Sequence, residues 1–266
     1  MPGSRSGPKP RGSVLYRLGI KLISYDRPGY GGSTPHPHRS VADAVRDVLT
    51  IADHLGHERF AVVGRSGGGP HALACAALRP ERVTRAAALV SLAPPDAPDL
   101  DWFAGMTEGN VREFTMAARD RGMLAEHLTR RADEIRSDPD KLIEALLKEV
   151  TDPDLQVVRD YAIRRLLTDT YSVAFEQGPF GWIDDVLAIR SPWGFTVEDI
   201  DVPTRLWHGA DDNFSPVSHT RWFARHIPGA ELEVQPATAH FGAVEVLPKL
   251  LAWLAQPVGV PVVLAR

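Results

Sequence analysis

Apolar residues recur along this chain in two rhythms, and the change from one to the other divides it. In the first third, short apolar runs alternate with stretches at helical spacing. Lys21-Leu22-Ile23-Ser24-Tyr25 reads as a short strand running into the turn-rich loop Asp26-Arg27-Pro28-Gly29-Tyr30-Gly31-Gly32. Ser40 then caps a predicted helix in which Val41, Val45, Val48, Leu49, Ala52 and Leu55 return every three or four residues, closing near Gly56. Phe60-Ala61-Val62-Val63 reads as a second strand, His71 to Leu78 as a helix, and Arg85 to Leu92 as a third strand. Strand and helix alternating in this way predict an α/β fold, a mostly parallel sheet with helices on both faces.

After Pro94-Pro95 the strand signal fades. Between about residues 101 and 200 helical periodicity dominates, in Asn110 to Arg121, Leu124 to Arg136, Pro139 to Val150 and Pro153 to Leu167, with Asp-Pro pairs at 138–139 and 152–153 marking joints. The pattern predicts a helical insertion over 95–200 between core segments 1–94 and 201–256. Trp182, Trp193 and Phe195 lie in a less regular stretch and either fill the core of that insertion or line a pocket in it. The α/β rhythm returns with Thr204 to Gly209, a helix from His219 to His226, the strand Glu231 to Val234 and a helix from Phe241 to Leu254. The tail, 257–266, is apolar and broken by proline, and reads either as disordered or as an extended packed segment.

Composition narrows the classes. A chain of 266 residues, 44% hydrophobic, supports one substantial core with an inserted subdomain. A net charge of −4 offers no basic face for nucleic acid or an anionic membrane, so neither is expected as a partner. No apolar run reaches the ~18 residues of a membrane span, and residues 1–13 lack the apolar segment of a secretory signal. The single Cys75 rules out an intramolecular disulfide, fits a cytoplasmic location, and reads as a packing residue.

The chemistry concentrates where Phe60 to Val63 meets Gly64-Arg65-Ser66-Gly67-Gly68-Gly69. A G-x-S-x-G sequence between strand and helix is a nucleophile elbow: the turn exposes the serine hydroxyl, and the helix N-terminus aims N–H groups, here Gly67 N–H, at a forming oxyanion. Gly64 and Gly68 flank the apex, where a Cβ is expected to collide. A serine hydroxyl needs a histidine to take its proton and a carboxylate to orient that histidine. Both follow at strand ends, in Ala210-Asp211-Asp212-Asn213-Phe214-Ser215-Pro216 and Pro236-Ala237-Thr238-Ala239-His240-Phe241-Gly242. Strand ends of a parallel sheet face a common crevice, where Ser66, an acid and His240 can converge.

With these pieces, and with Tyr25-Asp26-Arg27-Pro28-Gly29-Tyr30-Gly31-Gly32-Ser33, the chain resembles the α/β-hydrolase superfamily from about residue 20 to residue 255. The resemblance implies a Ser66–His240–Asp212 triad under a helical cap, with Asp211 as the alternative acid and Asp96 or Asp99 as more distant ones. It also implies a cofactor-independent serine hydrolase, esterase-like, acting on a small and largely apolar substrate. Arg65 departs from the histidine often found beside the nucleophile in relatives; it pairs with an acid or faces the cap.

The other histidines carry plainer readings. His71 borders the pocket or packs, His36 and His38 are solvated, and His54 and His57 sit at a helix end. His208, His219 and His226 lack metal-ligand spacing, so no metal is expected. Met1-Pro2-Gly3-Ser4-Arg5 resembles the downstream half of the superfamily's H-G-x-P-G-S-R loop, which puts Met1 where a second oxyanion donor would stand and implies an N-terminally shortened sheet. Two expectations follow from that resemblance: a homodimer covering the bare sheet edge, and, as the alternative function, an impaired or non-catalytic ligand-binding homologue.

Overall fold

The computed structural model describes residues 2–256; the tail reading and the placement of Met1 fall outside them. Four parallel strands form one sheet in sequence order: β1 (Phe60–Arg65), β2 (Val83–Leu89), β3 (Thr204–Gly209) and β4 (Glu231–Gln235). Side chains alternate between its faces. Ala86, Ala88 and Leu206 pack with α3 (Gly69–Leu78) and α10 (Val217–His226) on one face, while Ala87, Leu89 and Trp207 pack with α11 (Ala243–Leu254) on the other. The two layers bury most of β2 and β3.

The expected strand at Lys21 to Tyr25 is not a strand. It has no ladder partner among the described residues, and Lys21, Ile23 and Ser24 are exposed. Extended structure requires a neighbour to pair with, and the nearest strand, β1, lies across a cavity lined by both segments. A short helix that the sequence pattern did not suggest, α1 (Gly12–Arg17), precedes it. The helix expected to start at Ser40 starts later, as α2 (Ala44–His54), because Ser40 does not cap it: its N–H and hydroxyl instead donate to Asp43 Oδ2 at 2.7 and 2.9 Å.

Six helices fill the stretch between β2 and β3: α4 (Glu108–Arg119), α5 (Arg121–Ser137), α6 (Asp140–Glu149), α7 (Asp152–Arg159), α8 (Tyr161–Ala174) and α9 (Phe180–Ile189). The single helix expected from Pro153 to Leu167 is two. Asp160 is extended, ends α7 and caps α8 by accepting from Ala162 N at 2.9 Å and Ile163 N at 3.1 Å. Trp182 is buried and also lines the central cavity, whereas Trp193 is buried in the core and stacks on Phe195 at 5.7 Å.

The insertion is fastened to the core through the 26–39 loop. Asp185 on α9 accepts from Arg27, from Arg39 Nη2 at 2.6 Å and from the Tyr30 hydroxyl at 2.9 Å. Burial alone would raise its pKa, but the two guanidinium groups overcome this and hold it far below the usual carboxylate range. The backbones touch nearby, Gly181 N donating to Gly29 O at 3.0 Å. Gly29 has φ +83, and a Cβ there would lie 2.6 Å from Gly181 N, so only glycine fits.

Candidate active site

β1 ends at Arg65 and the chain turns through a 3₁₀ turn, Ser66–Gly68, directly into α3. Ser66 takes φ +54, the strained conformation expected at an elbow apex. Gly64 is obligatory, since a Cβ would lie 2.1 Å from Gly68 O. Gly68 is not, because nothing stands within 4 Å of its Cβ position. The second tight glycine is Gly69, whose Cβ would meet Ser91 Oγ at 2.1 Å. Gly64→Ala is therefore expected to cost several kcal/mol and Gly68→Ala less than about 1 kcal/mol, as read by urea denaturation. Equal losses would contradict this local geometry.

The two other segments meet at the same strand ends. Asp212 Oδ2 lies 2.8 Å from His240 Nδ1, and both residues are buried. Asp211, the alternative, does not touch His240; its backbone joins Thr238 O and Thr151 Oγ1. Asp212 is held by more than the histidine. It accepts from Phe214 N at 2.8 Å and Ser215 N at 3.1 Å, and His208 Nε2 stands 3.2 Å from Oδ2. Burial would raise its pKa, but His240 and His208 outweigh that and hold the carboxyl well below its ordinary range.

Burial pushes His240 down to about 4, with Asp212 opposing and Arg65 assisting. Its imidazole is then neutral at pH 7, and because Nδ1 must donate to the carboxylate, Nε2 carries the free lone pair. Ser66 and His240 line one cavity of about 940 Å³, but the Ser66 hydroxyl makes no hydrogen bond to His240. Gly67 lines it beside the serine, and Leu142, Leu167, Tyr171 and Trp182 of the inserted helices contribute apolar and aromatic wall, interrupted by the Arg131–Glu113 ion pair.

Three residues at the site escape motif reading. Asp154, in the first turn of α7, accepts from His240 N at 2.9 Å and Phe241 N at 2.8 Å, so the helical insertion caps the turn that carries the histidine. His208 donates from Nε2 to Ser215 O at 2.6 Å and pins the acidic loop. Ser215 donates from Oγ to Val90 O at 2.6 Å, tying that loop to the end of β2. All three act across long sequence separations or through loop geometry; only the position of Asp154 near a helix start gives a local signal.

Burial, with Asp212 adding to it, raises Asp154 to about 6 despite the two N–H donors. A folded pKa above the ordinary value stabilises the fold fully at pH below about 3.9, and that contribution is lost as pH rises through about 6. Asp154→Asn, compared with the parent by urea midpoints at pH 5 and pH 8, is expected to gain relative stability at the higher pH. A difference independent of pH would contradict the burial of this charge.

The remaining expected positions resolve simply. Arg65 forms no ion pair with an acid among the described residues; Nη2 donates to His240 O at 3.0 Å and the guanidinium stacks over Phe241 at 5.3 Å. His71 is buried, borders the cavity and meets Gly67 O at 2.8 Å. His219 bridges Ala93 N and Trp102 O, each at 3.0 Å. Burial raises the Cys75 thiol to about 12, a packing residue's environment. Among the described residues no cluster of three His, Cys, Asp or Glu side chains could hold a metal ion, and no helix is long and apolar enough to cross a membrane.

A family model for the alpha/beta hydrolase fold matches residues 2–245. The chain belongs to this family. Among relatives of this alpha/beta hydrolase, an uncharacterised hydrolase of Bacillus subtilis is 37% identical over 71 residues, a match spanning 27% of this chain and only 25% of that protein. The 2-hydroxymuconate semialdehyde hydrolase of Pseudomonas putida is 24% identical over 251 residues, 92% of this chain and 79% of that one. In structure, the bromoperoxidase of Bacillus anthracis superposes with a TM-score of 0.67 at 18% identity, covering 95% of this alpha/beta hydrolase and 87% of the other chain, a likeness of fold.

Proposed function

We propose that this alpha/beta hydrolase is a serine hydrolase that cleaves an ester or related acyl bond of a small, largely apolar substrate held under the helical cap. The observation that carries the reading is the buried Asp212–His240 pair, 2.8 Å apart, bordering the same cavity as a serine at φ +54 on a strand-to-helix turn. Ser66 Oγ attacks the acyl carbon while His240 Nε2 takes its proton, and Asp212 stabilises the imidazolium. The tetrahedral oxyanion is met by Gly67 N–H at the start of the elbow helix. Collapse expels the alcohol, which receives the proton from His240, and leaves an acyl ester on Ser66. His240 then deprotonates a water that attacks this ester, and Ser66 departs with the proton.

The hydrolase named among the relatives supports hydrolytic chemistry, and the apolar wall from the inserted helices supports an apolar acyl or alcohol group. The pH dependence follows from His240. Its neutral form acts as the base, so kcat/KM for a p-nitrophenyl acyl ester is expected to hold as pH falls from 7 to 5 and to drop through about pH 4. An acid limb near the ordinary histidine value would contradict the buried base. A folded protein that binds such esters without turnover at any pH would favour the ligand-binding alternative instead.

A further inference from the structure

Two side chains near the histidine turn bring hydrogen-bond donors to the cavity that nothing among the described residues accepts. Arg65 precedes the elbow serine, is half-buried and lines the cavity. A guanidinium carries five N–H donors, and here Nη2 is spent on His240 O at 3.0 Å. Nε is sealed without a partner, while Nη1, which also lacks one, is left open. Neither nearby acid forms an ion pair with it. Asp212 is committed to His240 Nδ1 and to the backbone of its own loop, and Asp154 to His240 N and Phe241 N.

Tyr171 of α8 supplies the second donor. It too is half-buried and lines the cavity, and its hydroxyl has no hydrogen-bond partner among the described residues and is not sealed off. Among the ionisable groups around Arg65, Tyr171 bears on the guanidinium more strongly than Asp212 or Asp154, and the cations that bear on Tyr171 in turn are Arg65 and Arg131. Burial raises the pKa of the phenol, so it keeps its proton and can donate. Arg131 already has Glu113 as its counter-ion. The charge of Arg65 is the one left unanswered in this group, and burial presses its pKa down.

A guanidinium withdrawn from water without a counter-ion is costly, and an uncharged substrate would leave that cost in place. A planar anion with two oxygens matches the fork of an arginine and can accept from a hydroxyl beside it. One unanswered positive charge calls for one negative charge, which a carboxylate supplies and a phosphate monoester exceeds. We propose that the substrate of this site carries a carboxylate, held by Arg65 and the Tyr171 hydroxyl while the rest of the molecule lies against the apolar wall. The proposal rests on the serine-hydrolase reading for the bond that is cleaved, and on these two donors for the charge that is bound.

The test is kcat/KM at pH 7 for matched acidic and neutral esters. The mono-p-nitrophenyl ester of adipate against p-nitrophenyl hexanoate places the charge on the acyl side; the acetate of ω-hydroxyhexanoate against hexyl acetate places it on the alcohol side. In at least one pair the acidic ester is expected to be better by about tenfold or more. That ratio should fall to about one in Arg65→Met, fall several-fold in Tyr171→Phe, and stay above about threefold in Arg65→Lys, which keeps the charge. Because the ratio is taken within each variant, a general loss from disturbing His240 cancels. If Arg65→Met does not fold, Tyr171→Phe and Arg65→Lys carry the comparison. Acidic esters no better than neutral ones in both pairs, or a preference that survives in Tyr171→Phe and in any folded Arg65→Met, overturns the proposal. A parent that turns over no ester and resists a fluorophosphonate at Ser66 sinks the hydrolase reading alone, and titration calorimetry then decides the carboxylate. Hexanoate bound about tenfold or more tighter than hexanol by the parent, with the difference lost in Tyr171→Phe, supports the subsite; equal binding of the two overturns it.

Discussion

Replacing Ser66 by alanine is expected to lower kcat for a small acyl ester by about 10⁴-fold or more while leaving KM within a few-fold. In the proposed mechanism the nucleophile is the one group for which the site has no substitute, because His240 as base and Gly67 N–H as donor would have nothing to act on without it. The substitution tests chemistry and not folding. Ser66 Oγ makes no hydrogen bond among the described residues, and alanine inherits the same strained backbone at φ +54. Its urea midpoint should therefore stay close to the parent's, within about 0.5 kcal/mol. Retention of more than a tenth of the parent's kcat in a folded Ser66→Ala would remove the serine from the mechanism.

Asp212→Asn carries the second large effect, a fall in kcat of about 10⁴-fold at neutral pH. The carboxylate accepts from His240 Nδ1 at 2.8 Å, which keeps the lone pair on Nε2. An amide nitrogen turned toward Nδ1 reverses that tautomer and leaves Nε2 protonated, unable to take the serine proton. The alternative amide orientation turns its donors toward His208 Nε2, itself a donor to Ser215 O at 2.6 Å, so neither is satisfied. Stability should fall too, since buried histidines and two backbone N–H groups lose their shared acceptor. Asp211→Asn, in an exposed position away from His240, is the control and should change kcat less than about twofold. Comparable losses in both variants would contradict Asp212 as the orienting acid.

What could be read from the sequence was what is decided locally. The elbow was legible because a strand, a glycine-flanked serine and a helix are contiguous, and Gly64 is tight against Gly68 four residues away. The other tight glycine was placed at Gly68 and belongs at Gly69, because its obstacle, Ser91, comes from the end of another strand. Lys21 to Tyr25 has strand composition but no ladder among the described residues, since a strand is a property of a pair and the pattern shows only one member. Asp160 divides α7 from α8 through its own side chain, a cap that periodicity alone passes over. The role of Asp154 is hidden for a different reason: its place near a helix start suggests a cap of its own helix, but its partner, His240, lies 86 residues away, and only the packing of the inserted helices brings the two together.

The helical insertion also fastens two parts of the core. Through Asp154 it holds the backbone of the histidine turn, and through Asp184 and Asp185 it grips Arg39 and Arg27 of the core. Under the proposed mechanism, substrate fit in the cavity and alignment of the base would depend on the same helices, which would link specificity to rate at this site.

The most direct test of the serine mechanism is covalent. Treating the folded protein with a fluorophosphonate, then digesting it and mapping the adduct by mass spectrometry, should place a single phosphonyl group on Ser66, with no labelling of Ser66→Ala and slowed labelling of Asp212→Asn. An unlabelled folded parent, or an adduct on any other residue, would contradict it.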